Sequence, residues 1–397
     1  MTKLIDIVLF LVAIAISIPI AVLAIEVIAA VWHRQTNSSD TSSPRPEITV
    51  LIPAHNEAAG IGSTLLSLKP LLTDRDRLIV IADNCDDDTA SIARQHGATV
   101  IERQDSDRRG KGYALDFGLR FLETNPPEVV VMVDADCLVG EGAIDRIARQ
   151  AAASGNPVQA TYLLAPPADP SLKDRISSLA FKVKNLVRSQ GLAVLGMPCL
   201  LAGTGMAFPW AVIASAPLAS GNIVEDMQLG IDLAIAGYPP RFCADAQVTG
   251  AFPELKSASL EQRKRWEHGH LQTLLQQVPR LLKESLSQRS GQLLAIALDL
   301  CVPPLSLLVF LWVASFGAAL LAAVLGASWL PSLVLAIAGL LLLAAIITAW
   351  AKFARQDLPL LQLLAVPLYI LWKIPLYLTF LFKPQTNWIR TKRNTST

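Results

Sequence analysis

The chain has 397 residues, 52% of them hydrophobic and only 17% charged, with a formal net charge of +1. Soluble domains carry roughly 25% charged residues, so part of this chain faces lipid, and the near-neutral balance argues against a nucleic-acid partner. The five cysteines, Cys85, Cys137, Cys199, Cys243 and Cys301, are scattered and odd in number. That usage suits a reducing cytosolic face better than a disulfide framework or a zinc site.

Leu4 to Trp32 is an apolar run interrupted by Asp6, Pro19 and Glu26, longer than the roughly 20 residues that span hydrocarbon. A cleaved signal has a shorter apolar core, so residues 1–34 read as a retained transmembrane anchor. Residues 35–46, rich in Ser, Thr, Asn and Pro, read as a linker, and 47–290 as a globular domain with interfacial helices. Residues 291–382 form a C-terminal transmembrane or re-entrant region with apolar runs Leu293 to Leu325, Leu330 to Trp350 and Leu358 to Phe382, and 383–397 form a basic tail. Lys352 and Arg355 precede the last run, and Lys383, Arg390, Lys392 and Arg393 follow it. If both basic stretches are cytoplasmic, that run enters and leaves on one side, and Pro359, Pro367 and Pro375 suit a broken or interfacial segment.

In the globular part, Ile48 to Pro53, Arg77 to Asp83, Ala98 to Glu102 and the β-branched run ending at Val133 read as strands. Helical spacing separates them from Ile61, from Thr89 to His96 and from Tyr113 to Leu122. The alternation predicts an α/β fold with a doubly wound sheet and polar groups at the strands' carboxyl ends. Asp134 and Asp136 end the central strand. Together they suit a divalent cation holding a diphosphate, or else one solvated acid and one helix cap. Asp83 either accepts an imide N–H from a pyrimidine or caps the next helix. Arg108-Arg109-Gly110-Lys111-Gly112 brings cations and backbone N–H groups to a helix start, where anions bind, or it is a solvated basic loop. It does not fit the P-loop pattern.

Asp174 to Leu195 is amphipathic and basic, fit to lie on a bilayer or against the sheet. Around Gly203, Thr204 and Gly205, small residues permit a close backbone approach, or simply a turn. Glu225 and Asp226 open a helix, where the dipole favours acids in any case. Gln262 and Arg265 share a helix face with Trp266 beside them. The guanidinium fork suits a phosphate and the indole a sugar ring, with a salt-bridged surface helix as the plainer reading. His268 and His270 diverge by about 200° on that helix, which excludes a two-His metal site.

In this order, Ile52-Pro-Ala-His-Asn56-Glu57, Ala82-Asp83-Asn84, Gly110-Lys111-Gly, Asp134-Ala-Asp136, Val224-Glu225-Asp226 and Gln262-Arg-Lys-Arg265-Trp266 resemble the membrane-integrated family 2 glycosyltransferases. That group includes cellulose, chitin, hyaluronan and poly-N-acetylglucosamine synthases and ceramide glucosyltransferase. The resemblance covers about residues 48–270. It implies a GT-A type nucleotide-binding sheet, Mg2+ or Mn2+ on Asp136 and Asp134, and a base, Asp226, with Glu225 beside it. Asn56, Glu57, Asp83, Lys111, Asp134, Gln262 and Arg265 are then expected to bind the donor, and Trp266, Gly203 and Thr204 the acceptor.

The implied activity is inverting transfer from a UDP-sugar to a growing polysaccharide or oligosaccharide at the cytosolic face of a bacterial inner or plasma membrane. The alternative is a single addition to a lipid acceptor. A homo-oligomer or export partner is expected if a polymer must cross the bilayer. Two positions depart from the pattern: Val224 stands where Thr is common, and His55 where many members carry an aromatic.

Overall fold

The computed structural model describes residues 2–32, 44–167, 169–219, 224–251 and 256–382. The expected linker lies largely outside them, and the basic tail wholly so. By contacts the chain divides into two compact units, one built from 2–32, 169–196 and 270–382, the other from 44–167 and 197–269. The contiguous globular stretch anticipated over 47–290 is therefore interrupted. Its basic amphipathic segment and its last twenty-one residues, 270–290, fall with the apolar helices.

The second unit holds one eight-stranded sheet. Its strands are β1 (Ile48–Ala54), β2 (Arg77–Asp83), β3 (Thr99–Arg103), β4 (Val129–Met132), β5 (Cys137–Val139), β6 (Val158–Ala165), β7 (Met206–Pro209) and β8 (Arg241–Ala251), in the order β3-β2-β1-β4-β7-β6-β8-β5. From β3 to β4 all pairings are parallel, while β7 runs antiparallel to both β4 and β6. Every residue of β4 and nearly every one of β1 is buried, as a strand covered on both faces requires. One core layer sets Ile48, Val50, Ile52, Val129 and Val131 against Ile61, Leu65, Ile144 and Ile147. The opposite layer sets Leu51, Ile79, Ile81, Val130 and Met132 against Leu115, Leu119, Leu229 and Phe208. The doubly wound expectation thus holds for the first four strands. The remaining four extend the sheet in mixed directions, because β7 enters from a distant part of the chain and reverses the sense.

The first unit is a helix bundle. Among the described residues four helical stretches are long and apolar enough to cross a membrane: Lys3–Val31, Leu305–Val324, Leu330–Phe353 and Leu360–Phe380. The single run expected from Leu293 to Leu325 is two helices, Gly291–Leu300 and Leu305–Val324, separated at Pro303-Pro304, where proline cannot continue the hydrogen-bond ladder. Trp312 donates from its indole N–H to the Leu335 carbonyl (2.7 Å), which locks Leu305–Val324 to Leu330–Phe353. The amphipathic segment is Leu172–Lys182, a π-helical turn Val183–Arg188 and Ser189–Val194. Its Arg188 donates to Glu26 (2.9 Å) and to Asp299, closing a buried ionic node that joins three helices.

Beside this node the chain has no room for a side chain at Gly191. A Cβ there would stand 2.0 Å from the Glu26 carbonyl oxygen and 2.9 Å from its Cα, both rigid backbone. Gly191→Ala should therefore force the two helices apart and cost about 3 kcal/mol or more. A thermal-shift measurement on the detergent-purified chain should show a clear fall in Tm, and an unchanged Tm would refute this packing.

Candidate active site

Parallel strands carry their ligands in the crevice beyond their carboxyl ends. Here β1 leads into Ala54, His55 and Glu57, β2 ends at Asp83 and Asn84, and β4 runs on into Asp134, Ala135 and Asp136. These residues, with Arg109, Gly110, Lys111, Gln262 and Arg265, line one cleft of ≈ 870 Å3 open to solvent. Three segments distant in the sequence thereby meet: the β-strand ends, the glycine-flanked turn and the Gln262–Arg265 helix.

Lys111 opens the helix Lys111–Leu122, directly after Gly110 at φ 131°, a backbone conformation that side-chain-bearing residues avoid. Its ammonium pairs with Asp134, donates to the Gly203 carbonyl (2.7 Å) and stands 3.9 Å from Glu225. Burial works against the charge on Lys111. Asp134, Glu225 and Asp226 outweigh that cost and hold it above its ordinary range, so it stays protonated. Burial likewise raises the Glu225 carboxyl to about 7, with Lys111 opposing and Asp226 adding to the rise. Asp226 itself is not on the cleft lining. Its Oδ2 lies 3.3 Å from where a Gly203 Cβ would stand, and the Lys111 Nζ lies 3.5 Å from the same point. Gly203, at φ 88°, is therefore the position where the chain passes between base candidate and lysine without a side chain in the way.

Asp134, Asp136 and Cys137 present ligand atoms within 4.8 Å of one another. The Cys137 thiol is buried, and that burial pushes it well above its usual range, so it remains protonated and donates weakly to Asp136 (3.8 Å). The donor set left is two carboxylates, which is oxygen chemistry fit for Mg2+ or Mn2+ rather than zinc. One Asp134 oxygen is engaged by Lys111, and Asp136 stands beside it on the same turn. Across the cleft, Arg265 has its Nε buried without a hydrogen-bond partner among the described residues. Orphaned buried donors are rare, and a diphosphate oxygen would satisfy this one.

Asp83 caps nothing. Helix Thr89–Gln95 starts at Asp88, and the Thr89 N–H is taken by Asp87 (3.0 Å). Its Oδ1 accepts from Arg103 (2.6 Å) and from the Asn84 amide (3.0 Å). Asn84 holds a left-handed φ of 51°, and its own amide oxygen accepts the Asp105 N–H (2.8 Å). Asn56, expected on the donor, also adopts a left-handed φ (54°). It uses its side-chain oxygen to bind the Asp86 N–H (2.7 Å), so it braces two loops and is not on the lining.

Thr204, expected on the acceptor, is fully buried, and its hydroxyl accepts the Asp134 N–H at 3.0 Å. It sets the aspartate's backbone. Trp266 is half-buried and outside the lining. Arg103 went unnoticed in the sequence, although its place directly after the expected strand Ala98 to Glu102 was the available signal. The register puts it directly opposite Asp83.

A mixed α/β sheet with acids at its strand ends, a half-buried lysine and an arginine with an unpartnered Nε around one cleft fits a nucleotide-sugar transferase of the GT-A type. The chain belongs to the family described as Glycosyltransferase like family 2, whose model matches residues 44–269. It is 37% identical over 99 residues to the probable glycosyltransferase YdaM of Bacillus subtilis, a match covering 23% of each chain. It is 34% identical over 116 residues to the glucosyl-3-phosphoglycerate synthase of Mycobacterium tuberculosis, 27% of this chain and 35% of that one. These matches thus span well under half of either relative's length. In fold it is similar to a mannosyltransferase of Pyrobaculum calidifontis solved with GDP-mannose and Mn2+, with TM-score 0.50, 20% identity, and 85% and 98% of the two chains covered.

Thr204→Val keeps the side chain's shape but strands the part-buried Asp134 N–H, at a cost of about 1 kcal/mol. Denaturant or thermal unfolding should show that loss together with weaker nucleotide binding. Wild-type stability and binding would mean that Asp134 is held by other means.

Proposed function

We propose that this glycosyltransferase inverts configuration as it moves a sugar from UDP to a growing polysaccharide or oligosaccharide at the cytosolic face of a bacterial inner or plasma membrane. The observation that carries the reading is the unpartnered Arg265 Nε in the same cleft as Asp136 and Lys111. A diphosphate would satisfy the Arg265 Nε and meet the Lys111 ammonium, while the Asp136 carboxylate suits the accompanying cation. Asp136, helped by Asp134, would hold Mg2+ or Mn2+, which when bound offsets charge on the departing diphosphate.

The chain's own groups do the rest. Arg265 and Lys111 meet the leaving group as negative charge develops on it. Asp226, beside Lys111, takes the proton from the acceptor hydroxyl as that oxygen attacks the anomeric carbon from the side opposite the nucleotide. Glu225, raised by burial, sits next to the base and limits how much negative charge the pair carries. Glu57, Asp83 and Gln262 line the donor side. Trp266 and the Gly203 backbone are assigned to the acceptor side.

Membrane placement is supported within the helix bundle. The Ser328 N–H binds Asp6 (2.8 Å), which puts the start of Thr2–Val31 at the same end as the turn before Leu330–Phe353. At the far end of Leu330–Phe353, Lys182 donates to the Phe353 carbonyl (3.0 Å), near Lys352 and Arg355. The cations thus gather at one end, as the positive-inside tendency asks of a cytosolic face. Sugar nucleotides are cytosolic, which supports a cleft that faces the cytosol.

A single addition to a lipid acceptor is the second reading, favoured by the small number of apolar helices, four among the described residues. Extension would then call for a homo-oligomer or an export partner. With a radiolabelled donor, extension gives a ladder of products, and a single species would select the lipid reading.

Asp226→Asn should leave UDP binding within about threefold of wild type and abolish transfer, whereas Asp136→Ala should lose the metal-dependent part of UDP affinity. Calorimetry with and without Mn2+, paired with a transfer assay, checks both. Near wild-type turnover by the Asn variant would remove Asp226 as the base.

A further inference from the structure

Arg103 stands at the carboxyl end of β3, and its side chain is only 9% exposed. One of its terminal nitrogens donates to Asp83 Oδ1 (2.6 Å), and the other donates to Asp105 Oδ2 (3.0 Å) and to the Arg108 carbonyl (2.8 Å). Its guanidinium also lies 5.8 Å from the centre of the Tyr113 ring. The Asn84 amide is a second donor to Asp83 Oδ1, at 3.0 Å. A carboxylate oxygen accepts about two hydrogen bonds, so Oδ1 is saturated. Asp83 Oδ2 accepts nothing among the described residues, and Asp83 lines the cleft.

We propose that Arg103 is a specificity-determining residue: by occupying one oxygen of Asp83, it leaves the cleft a single-acceptor reader that selects uracil or thymine over guanine. The proposal rests on the nucleotide-sugar reading of this cleft and names how its base is chosen. The chemistry lies in the edges of the bases. Uracil and thymine present one imide N–H between two carbonyls, which one carboxylate oxygen satisfies. Guanine presents N1–H and the N2 amino group side by side, a pair that calls for both oxygens. Cytosine presents a bare N3 lone pair, which a carboxylate repels.

Arg103 also fixes where this reader stands. Asp83 and Arg103 are paired in register across β2 and β3, and the bond to the Arg108 carbonyl ties the same guanidinium to the turn that delivers Lys111. One buried cation therefore sets both the base-reading acid and the approach to the diphosphate.

Calorimetry of the full chain in nanodiscs with Mn2+, titrating UDP, dTDP, CDP and GDP, tests this. In wild type, UDP and dTDP should bind within about threefold of each other, and CDP and GDP about tenfold or more weaker. Arg103→Leu opens one acceptor place on Oδ1 beside the Asn84 amide, so UDP should weaken while GDP strengthens, collapsing the UDP-to-GDP ratio to about threefold or less. Arg103→Lys should recover part of the preference. If the leucine variant does not fold, Asn84→Ala, which removes the other Oδ1 donor, should narrow the ratio in the same sense. A wild type that prefers GDP, or an Arg103→Leu that weakens all four nucleotides in common proportion, would overturn the proposal. Should none of the four bind wild type, the donor reading itself fails, a result distinct from either.

Discussion

The site depends on keeping three acids, Asp134, Glu225 and Asp226, around one half-buried ammonium, with Asp136 beside Asp134. Like charges this close are stable only with cations among them, and Lys111 is the resident one, paired with Asp134 and near Glu225. One lysine does not balance four carboxylates. Burial first and Asp226 second raise Glu225 to about 7, which removes part of that excess, and the proposed Mg2+ or Mn2+ would offset the rest. Arg265, with a buried donor unspent, supplies the opposite complement for a dianionic leaving group. The proposed metal and diphosphate would together meet both complements.

Much of this was legible in the sequence because each strand ends on chemistry. The β-branched runs of β1, β2 and β4 mark buried parallel strands, and whatever follows such a run falls at the ligand crevice. Asp83, Asp134 and Asp136 could be placed that way. Lys111 and Arg265 needed the order of motifs as well as their composition. What pattern could not show was direction of use. Thr204 and Asn56 are polar residues in the right stretches, yet Thr204 serves a backbone N–H and Asn56 joins two loops. Such roles follow from tertiary distances of 2.7–3.0 Å, which have no period or spacing in the chain.

The apolar region shows the same limit. Hydropathy marks its helices, but the assignment of residues 169–196 to that unit was hidden, because a basic amphipathic segment suits a sheet as well as a bundle. The node of Glu26, Arg188 and Asp299 decides it physically. An arginine 5% exposed among apolar helices is tolerable only beside carboxylates, and both lie in this unit. Glu26, which looked like an interruption of the first apolar run, is its attachment point.

The account stands or falls on where a donor nucleotide sits. An experimental structure of the chain with UDP and Mn2+, using anomalous scattering to locate the metal, would show it directly. The expected result is manganese on the Asp136 carboxylate, the diphosphate against Arg265 and the uracil edge at Asp83. Manganese bound away from Asp136, or a nucleotide outside the cleft lined by Lys111 and Arg265, would contradict it.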